Sequence, residues 1–150
     1  MISQDSFFRF KNVWKLSVST QIILVTALLL IRVLQSYLGN LGMIRDFPKV
    51  VAILAPIYEE IFFRGFILIA LMKRFGNRKA IIVSSILFGL WYLKNISALN
   101  RHDLILQISY ATLFVGPVTA YLATKTKTIW IGVILHFINN IVFPYLPKII

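Results

Sequence analysis

Five apolar stretches, over roughly 16–38, 48–72, 80–93, 104–123 and 129–147, constrain this chain more than any other feature. A helix needs about 20 residues to cross the hydrocarbon of a bilayer, and four of the five reach that length. The stretch 80–93 is short and is expected to be buried among the others. The connections GNLGMIRDF, KRFGNRK, KNISALNRHD and TKTKT leave no room for a soluble domain, and no internal repeat is visible. With 59% hydrophobic and 14% charged residues, the apolar excess exceeds what one small aqueous core can hold, because a short chain keeps much of its surface exposed. The sequence predicts an all-α polytopic membrane helical bundle of about five spans, forming a single integral membrane domain over 1–150.

The formal net charge of +11 raises nucleic-acid binding, but the basic residues sit at the edges of the apolar stretches and not on an aromatic-interleaved face. No nucleic-acid partner is expected; membrane lipids are. With the N-terminus inside, the inner segments carry Arg9, Lys11, Lys15, Lys73, Arg74, Arg78, Lys79, Lys125 and Lys127. The outer ones carry Arg45, Lys49, Lys94, Arg101 and Lys148, with Arg32 and Arg64 left inside spans. This asymmetry predicts a cytoplasmic N-terminus. The basic lead before the first stretch also suits a signal peptide, but the run is too long and lacks a small-residue cleavage site, so an uncleaved first span is expected. The absence of cysteine removes disulfides, thiolate metal sites and a cysteine nucleophile.

Within the second stretch, YEEIFFRGF holds Glu59 and Glu60, the only glutamates among five acidic residues. An ionisable side chain at membrane depth costs about 2.5–3.5 kcal/mol on insertion scales, so two in succession need partners. Glu60 and Arg64 are four apart and share a helix face; a purely structural ion pair is as good a reading as a functional one. Glu59 points about 100° away and must find its partner on another helix. HFINN in the last stretch places His136 and Asn140 four apart, projecting together at membrane depth. In FGLWYLKN, Phe88 and Tyr92 share a face and Gly89 permits close helix approach. Tyr92 is either an interfacial aromatic or a buried hydroxyl donor. Pro56 and Pro117 interrupt helical stretches, Pro56 beside the carboxylates. Ser84 and Ser85 have no adjacent activating group, and His102 beside Asp103 reads as a solvated loop side chain.

These motifs together resemble the CAAX-protease and bacteriocin-processing (CPBP, or Abi) family of intramembrane proteases. EEIFFR is similar to its E-E-x-x-x-R pattern, FGLWY to its F-x-x-x-H motif and HFINN to its H-x-x-x-N motif, over a core of about 48–144. The resemblance implies a bacterial cell-membrane protein and an endopeptidase acting on a peptide or membrane-protein substrate. It implies Glu59 as the carboxylate that activates water, supported by Glu60 and Arg64. His136 and Asn140 would orient water or stabilise the oxyanion, with Phe88 and Tyr92 at the substrate or oxyanion side.

Tyr92 stands where the family pattern has histidine. A tyrosine can donate a hydrogen bond, but its reference pKa of about 10 makes it no base near neutrality. Zinc would be left with Glu59 and His136 as its good ligands, with Glu60 and a weak Asn140 beside them, whereas catalytic zinc takes three good protein ligands. Zinc is therefore disfavoured and no other cofactor is expected. Two further readings stand beside the protease: a pseudo-protease serving as membrane scaffold or bacteriocin-immunity-type binding protein, motivated by Tyr92, and a proton relay or transporter using the same buried groups.

Overall fold

In a computed structural model of the chain, residues 7–10, 17–38 and 49–142 are described. The connection GNLGMIRDF and the end of the last apolar stretch beyond 142 lie outside the described residues, as do Lys11 and Lys15. All regular structure among the described residues is helical. Helix α1 spans Val18–Leu38. Helix α2, Lys49–Glu60, runs directly into a π-helical stretch, Ile61–Leu68. Helix α3, Ile69–Trp91, ends in a 3-10 turn, Tyr92–Asn95. Helix α4, Arg101–Tyr110, passes through a π-helical turn, Ala111–Val115, into α5, Gly116–Thr126. Helix α6, Trp130–Phe137, continues as the π-helical turn Ile138–Val142.

The chain reverses within α3. Gly76 takes φ 75° and ψ 172°, a conformation open to a residue without a Cβ. An unbroken helix from 63 to 88 would separate those positions by about 37 Å at about 1.5 Å per residue. Their rings instead stand 5.1 Å apart, centroid to centroid. The segment KRFGNRK thus makes a tight hairpin, and it brings FGLWY back beside EEIFFR.

The outer and inner faces are inverted relative to a protein in water. Val18, Ile22, Leu29, Val50, Ile82 and Leu113 are exposed, while Glu59, Glu60, Arg64, Ser84, Ser85, Thr119 and His136 are buried. Large apolar side chains facing outward in such numbers need an apolar solvent, and helices satisfy their own backbone polar groups there. Helix Arg101–Thr126, 26 residues with its π turn included, is long and apolar enough to cross a membrane by length and composition. Among the described residues it is the one helix to pass that test, where four apolar stretches of sufficient length were expected. The others are helical too, but Gly76 separates the second from the third, and Glu59, Glu60, Arg64 and the hairpin cations lower their hydropathy. The last is described only as far as Val142.

Two local expectations change. The loop KNISALNRHD ends earlier than its composition suggests, because Asn100 caps α4 by accepting from the Asp103 backbone N–H at 2.9 Å. His102 consequently lies in the first turn of a helix, where it is exposed. Pro56 lies inside α2, and the change of helix geometry falls after it, at Ile61, directly beyond the two glutamates. Pro117 lies within the continuous helix Arg101–Thr126, directly after its π-helical turn Ala111–Val115, so the change of helix geometry adjoins the residue that lacks an N–H.

Candidate active site

The two glutamates leave the end of α2 in different directions. Glu60 turns toward α6, into space that exists because residue 132 is glycine: a Cβ there would stand 2.6 Å from Glu60 Oε2. It pairs with Arg64 across the start of the π-helical stretch, Nε to Oε2 at 3.2 Å. This contact is a charge pair without hydrogen-bond alignment. Arg64, 1% exposed, aims its Nη2 at α5. It donates to the Gly116 carbonyl at 3.3 Å and to the Thr119 hydroxyl. Its guanidinium carbon lies 4.3 Å from the centre of the Phe88 ring, a cation–π contact strengthened by burial.

His136 stands between the carboxylates. Its Nε2 lies 3.7 Å from Glu59 Oε2 and its Nδ1 lies 3.5 Å from Glu60 Oε1. Its ring meets Phe88 edge-on, with centroids 5.8 Å apart. One imidazole therefore touches both acids, and through them α2, α3 and α6 are joined.

Glu59 takes its other partners from the end of α3 and the turn beyond it. Oε1 accepts from Trp91 Nε1 at 3.0 Å and from Lys94 Nζ at 3.0 Å. Oε2 accepts from the Tyr92 hydroxyl at 3.3 Å. The polar groups thus form one continuous series across the bundle, Lys94, Glu59, His136, Glu60 and Arg64, with a cation at each end and the imidazole between the two acids. One cation for each acid is how two carboxylates become tolerable in an apolar interior, because an unpaired buried charge is far more costly than a paired one. Glu59, although only 2% exposed, also lines a cleft of about 310 Å³ with Tyr58, Phe62, Phe63 and Trp91. The cleft therefore presents four aromatic side chains and a single carboxylate.

Of the residues singled out from the sequence, the structure brings Glu59, Glu60, Arg64, Phe88, Tyr92 and His136 together. Asn140 belongs to a neighbouring polar chain: its Oδ1 accepts from Asn139 Nδ2 at 2.7 Å, and Asn139 Oδ1 accepts from the Tyr110 hydroxyl at 2.7 Å. The shared face of His136 and Asn140 assumed α-helical spacing, whereas the chain turns π-helical at Ile138, where hydrogen bonds run i to i+5. Ser84 and Ser85 donate to the Ile81 carbonyl within their own helix. Trp91, Lys94, Thr119 and Gly132 were not anticipated. Lys94 had been counted among the outer flanking charges, and nothing in its spacing separates it from the others.

The residues present do not suit a catalytic zinc. The donors that face one another are Glu59 Oε2, His136 Nε2 and the Tyr92 hydroxyl, and the last is a poor ligand while it keeps its proton. Glu60 is committed to Arg64. The Lys94 ammonium on Glu59 adds a competing positive charge. Among the described residues no group of three His, Cys, Asp or Glu side chains is arranged to hold a metal ion.

A family model described as type II CAAX prenyl endopeptidase Rce1-like matches residues 47–142, more than half of the chain. No curated protein and no solved structure matches it. The matched region runs from α2 through α6 and contains every group of the polar chain just described. With its all-helical, outwardly apolar architecture, this chain belongs to the type II CAAX prenyl endopeptidase Rce1-like family of membrane proteases.

Proposed function

We propose that the chain is an intramembrane endopeptidase in which Glu59 is the general base, with the core over 48–144 carrying the site. The observation that carries this reading is a carboxylate 2% exposed that lines an aromatic cleft with an imidazole nitrogen 3.7 Å away. Such a carboxylate, held in place by internal partners, can take a proton from water at its Oε2 side. The hydroxide oxygen bonds to the carbonyl carbon of the scissile amide, and the carbonyl electron pair moves to oxygen. Collapse of that tetrahedral species breaks the C–N bond, and Glu59 returns the proton to the leaving nitrogen.

His136 Nε2 sits where it orients the attacking water or donates to developing charge. Glu60 and Arg64 act behind it by fixing its ring through Nδ1. Asn140, by way of Asn139, extends the polar wall on the same helix. Phe88 positions both the Arg64 guanidinium and the Tyr92 ring. The substrate is a peptide or membrane-associated protein whose apolar side chains fill the cleft beside Trp91 and Phe62. With a cytoplasmic N-terminus, as the basic residues favour, the site would open toward the outer half of the membrane.

The test is cleavage of a panel of fluorogenic peptides by purified wild type and Glu59→Gln, with and without a chelator. Activity that disappears in Glu59→Gln and survives chelation is expected. Glu59→Gln cleaving at the wild-type rate would overturn the assignment.

A second reading is favoured by Tyr92, whose hydroxyl donates to Glu59 Oε2 where the family pattern places an imidazole. On that reading the fold persists as a membrane scaffold or immunity-type binding protein. Cleavage by Tyr92→His alone, with none by wild type, would establish it.

A further inference from the structure

We propose that Lys94 is a catalytic residue of this site: its ammonium holds Glu59 in the resting enzyme and binds the substrate carbonyl oxygen as that oxygen becomes negative. The proposal rests on the reading of Glu59 as general base.

The two oxygens of Glu59 are divided between different sets of neighbours. Oε1 takes Lys94 and Trp91, each at 3.0 Å, with the Tyr58 hydroxyl at 3.5 Å. Oε2 faces His136 and Tyr92. The base function thus falls to Oε2, and the cation stands on the opposite side of the same carboxylate. It is also confined there. Lys94 Nζ lies 4.5 Å from the centre of the Trp91 ring, 5.6 Å from that of Tyr92 and 6.0 Å from that of Tyr58. Tyr58 and Trp91 line the cleft, so the ammonium is held where a bound peptide would pass.

Among the described residues the other groups that contact the two glutamates are not free to take this part. Arg64 is 1% exposed and is engaged by Glu60, Gly116, Thr119 and the Phe88 face. His136 lies between the acids. The Lys94 side chain, by contrast, is 37% exposed, on a four-carbon stem that leaves the short turn Tyr92–Asn95. It can turn from Glu59 to a neighbouring oxygen without moving the backbone. When it does, the Trp91 N–H still holds Oε1, so the carboxylate is not left bare.

In the reaction, water gives its proton to Glu59 Oε2 as its oxygen bonds to the carbonyl carbon. The electron pair of the carbonyl settles on oxygen against the Lys94 ammonium, which keeps all its protons. The pair returns as the C–N bond breaks and Glu59 protonates the amine. A donor already placed beside such a charge, in a medium of low dielectric, is commonly worth about 10²–10³-fold in kcat.

Full-length wild type, Lys94→Met, Lys94→Arg and Glu59→Gln in detergent would be compared by kcat, KM and melting temperature on the same peptide panel. A carbodiimide would also be used to join Lys94 to Glu59 as an isopeptide in wild type. The expected result is a kcat about 100-fold lower in Lys94→Met, with KM near wild type and any lowered melting temperature restored in Lys94→Arg, recovery of at least about a tenth of wild-type kcat in Lys94→Arg, and the Lys94–Glu59 cross-link in wild type. Wild-type kcat in Lys94→Met with Glu59→Gln inactive would overturn the Lys94 role and leave Glu59 standing. A rise in KM alone would also overturn it, as would a fall in melting temperature without recovery by arginine, or no cross-link. Wild-type activity in Glu59→Gln, or none in wild type, would overturn the underlying reading and this proposal together.

Discussion

Gly132 and Glu60 are fitted to each other: a methyl group at position 132 would stand 2.6 Å from Glu60 Oε2. A free glutamate would swing aside at small cost. This one is 0% exposed and lies against both Arg64 and His136, so turning away breaks the ion pair and the imidazole contact together. Gly132→Ala should therefore destabilise the protein by about 1–3 kcal/mol, as overpacking does, although alanine is the better helix former. Thermal unfolding in detergent checks this, and a melting temperature above wild type would show that Glu60 relaxes freely.

Arg64 cannot be replaced by lysine without loss. Its planar fork reaches Glu60, the Gly116 carbonyl and Thr119 at once while its face lies on Phe88. A lysine offers one point of charge and no plane to stack. Arg64→Lys should lower stability measurably, and Arg64→Met should cost about 3–5 kcal/mol by leaving Glu60 buried without its cation. The double variant Glu60→Gln/Arg64→Met should recover part of that loss. A double-mutant cycle on unfolding free energies measures the coupling, and additive losses would contradict a working pair.

At the crossing of α3 with the α4–α5 helix, a Cβ on Gly89 would meet the Thr112 hydroxyl, would lie 2.9 Å from Thr112 Cβ and would come within 3.1 Å of the Ile108 carbonyl oxygen. The backbone atom cannot rotate away. Gly89→Ala should lower the melting temperature, and Gly89→Val should do so further because a branched side chain forces the helices apart. Pairing either change with Thr112→Ala should restore only part of the loss, since the carbonyl remains. Equal melting of Gly89→Val and wild type would show that the helices do not cross this closely.

The Tyr92 hydroxyl and ring can be tested apart. Tyr92→Phe keeps the edge-on contact with Phe88, whose centroid is 5.5 Å away, and removes the donor to Glu59. The melting temperature should stay near wild type while kcat falls about tenfold, the scale of one hydrogen bond to a charged group. Tyr92→His should cleave at least as fast as wild type, because an imidazole can both donate and accept near neutral pH. Steady-state kinetics on the peptide panel decide it, and unchanged kcat in both variants would remove Tyr92 from the site.

The sequence by itself determined the helical, outwardly apolar character of the chain, because each apolar run must be shielded from water wherever it lies. It also marked Glu59, Glu60 and Arg64, since the cost of a charge in an apolar helix is local and can be read without knowing the neighbours. The Glu60–Arg64 pair was legible for the same reason, four residues being close to one turn in either helix form. The tertiary structure alone decided which groups meet Glu59. Lys94 lies 35 residues further along and reaches it only because Gly76 folds α3 back on the π-helical stretch. His136 reaches both acids because α6 packs against α2 at a glycine, and Asn140 turns to Asn139 where the helix changes type. Those choices depend on how helices cross and on where their hydrogen-bond spacing shifts, quantities set by packing between segments and by no single segment's pattern.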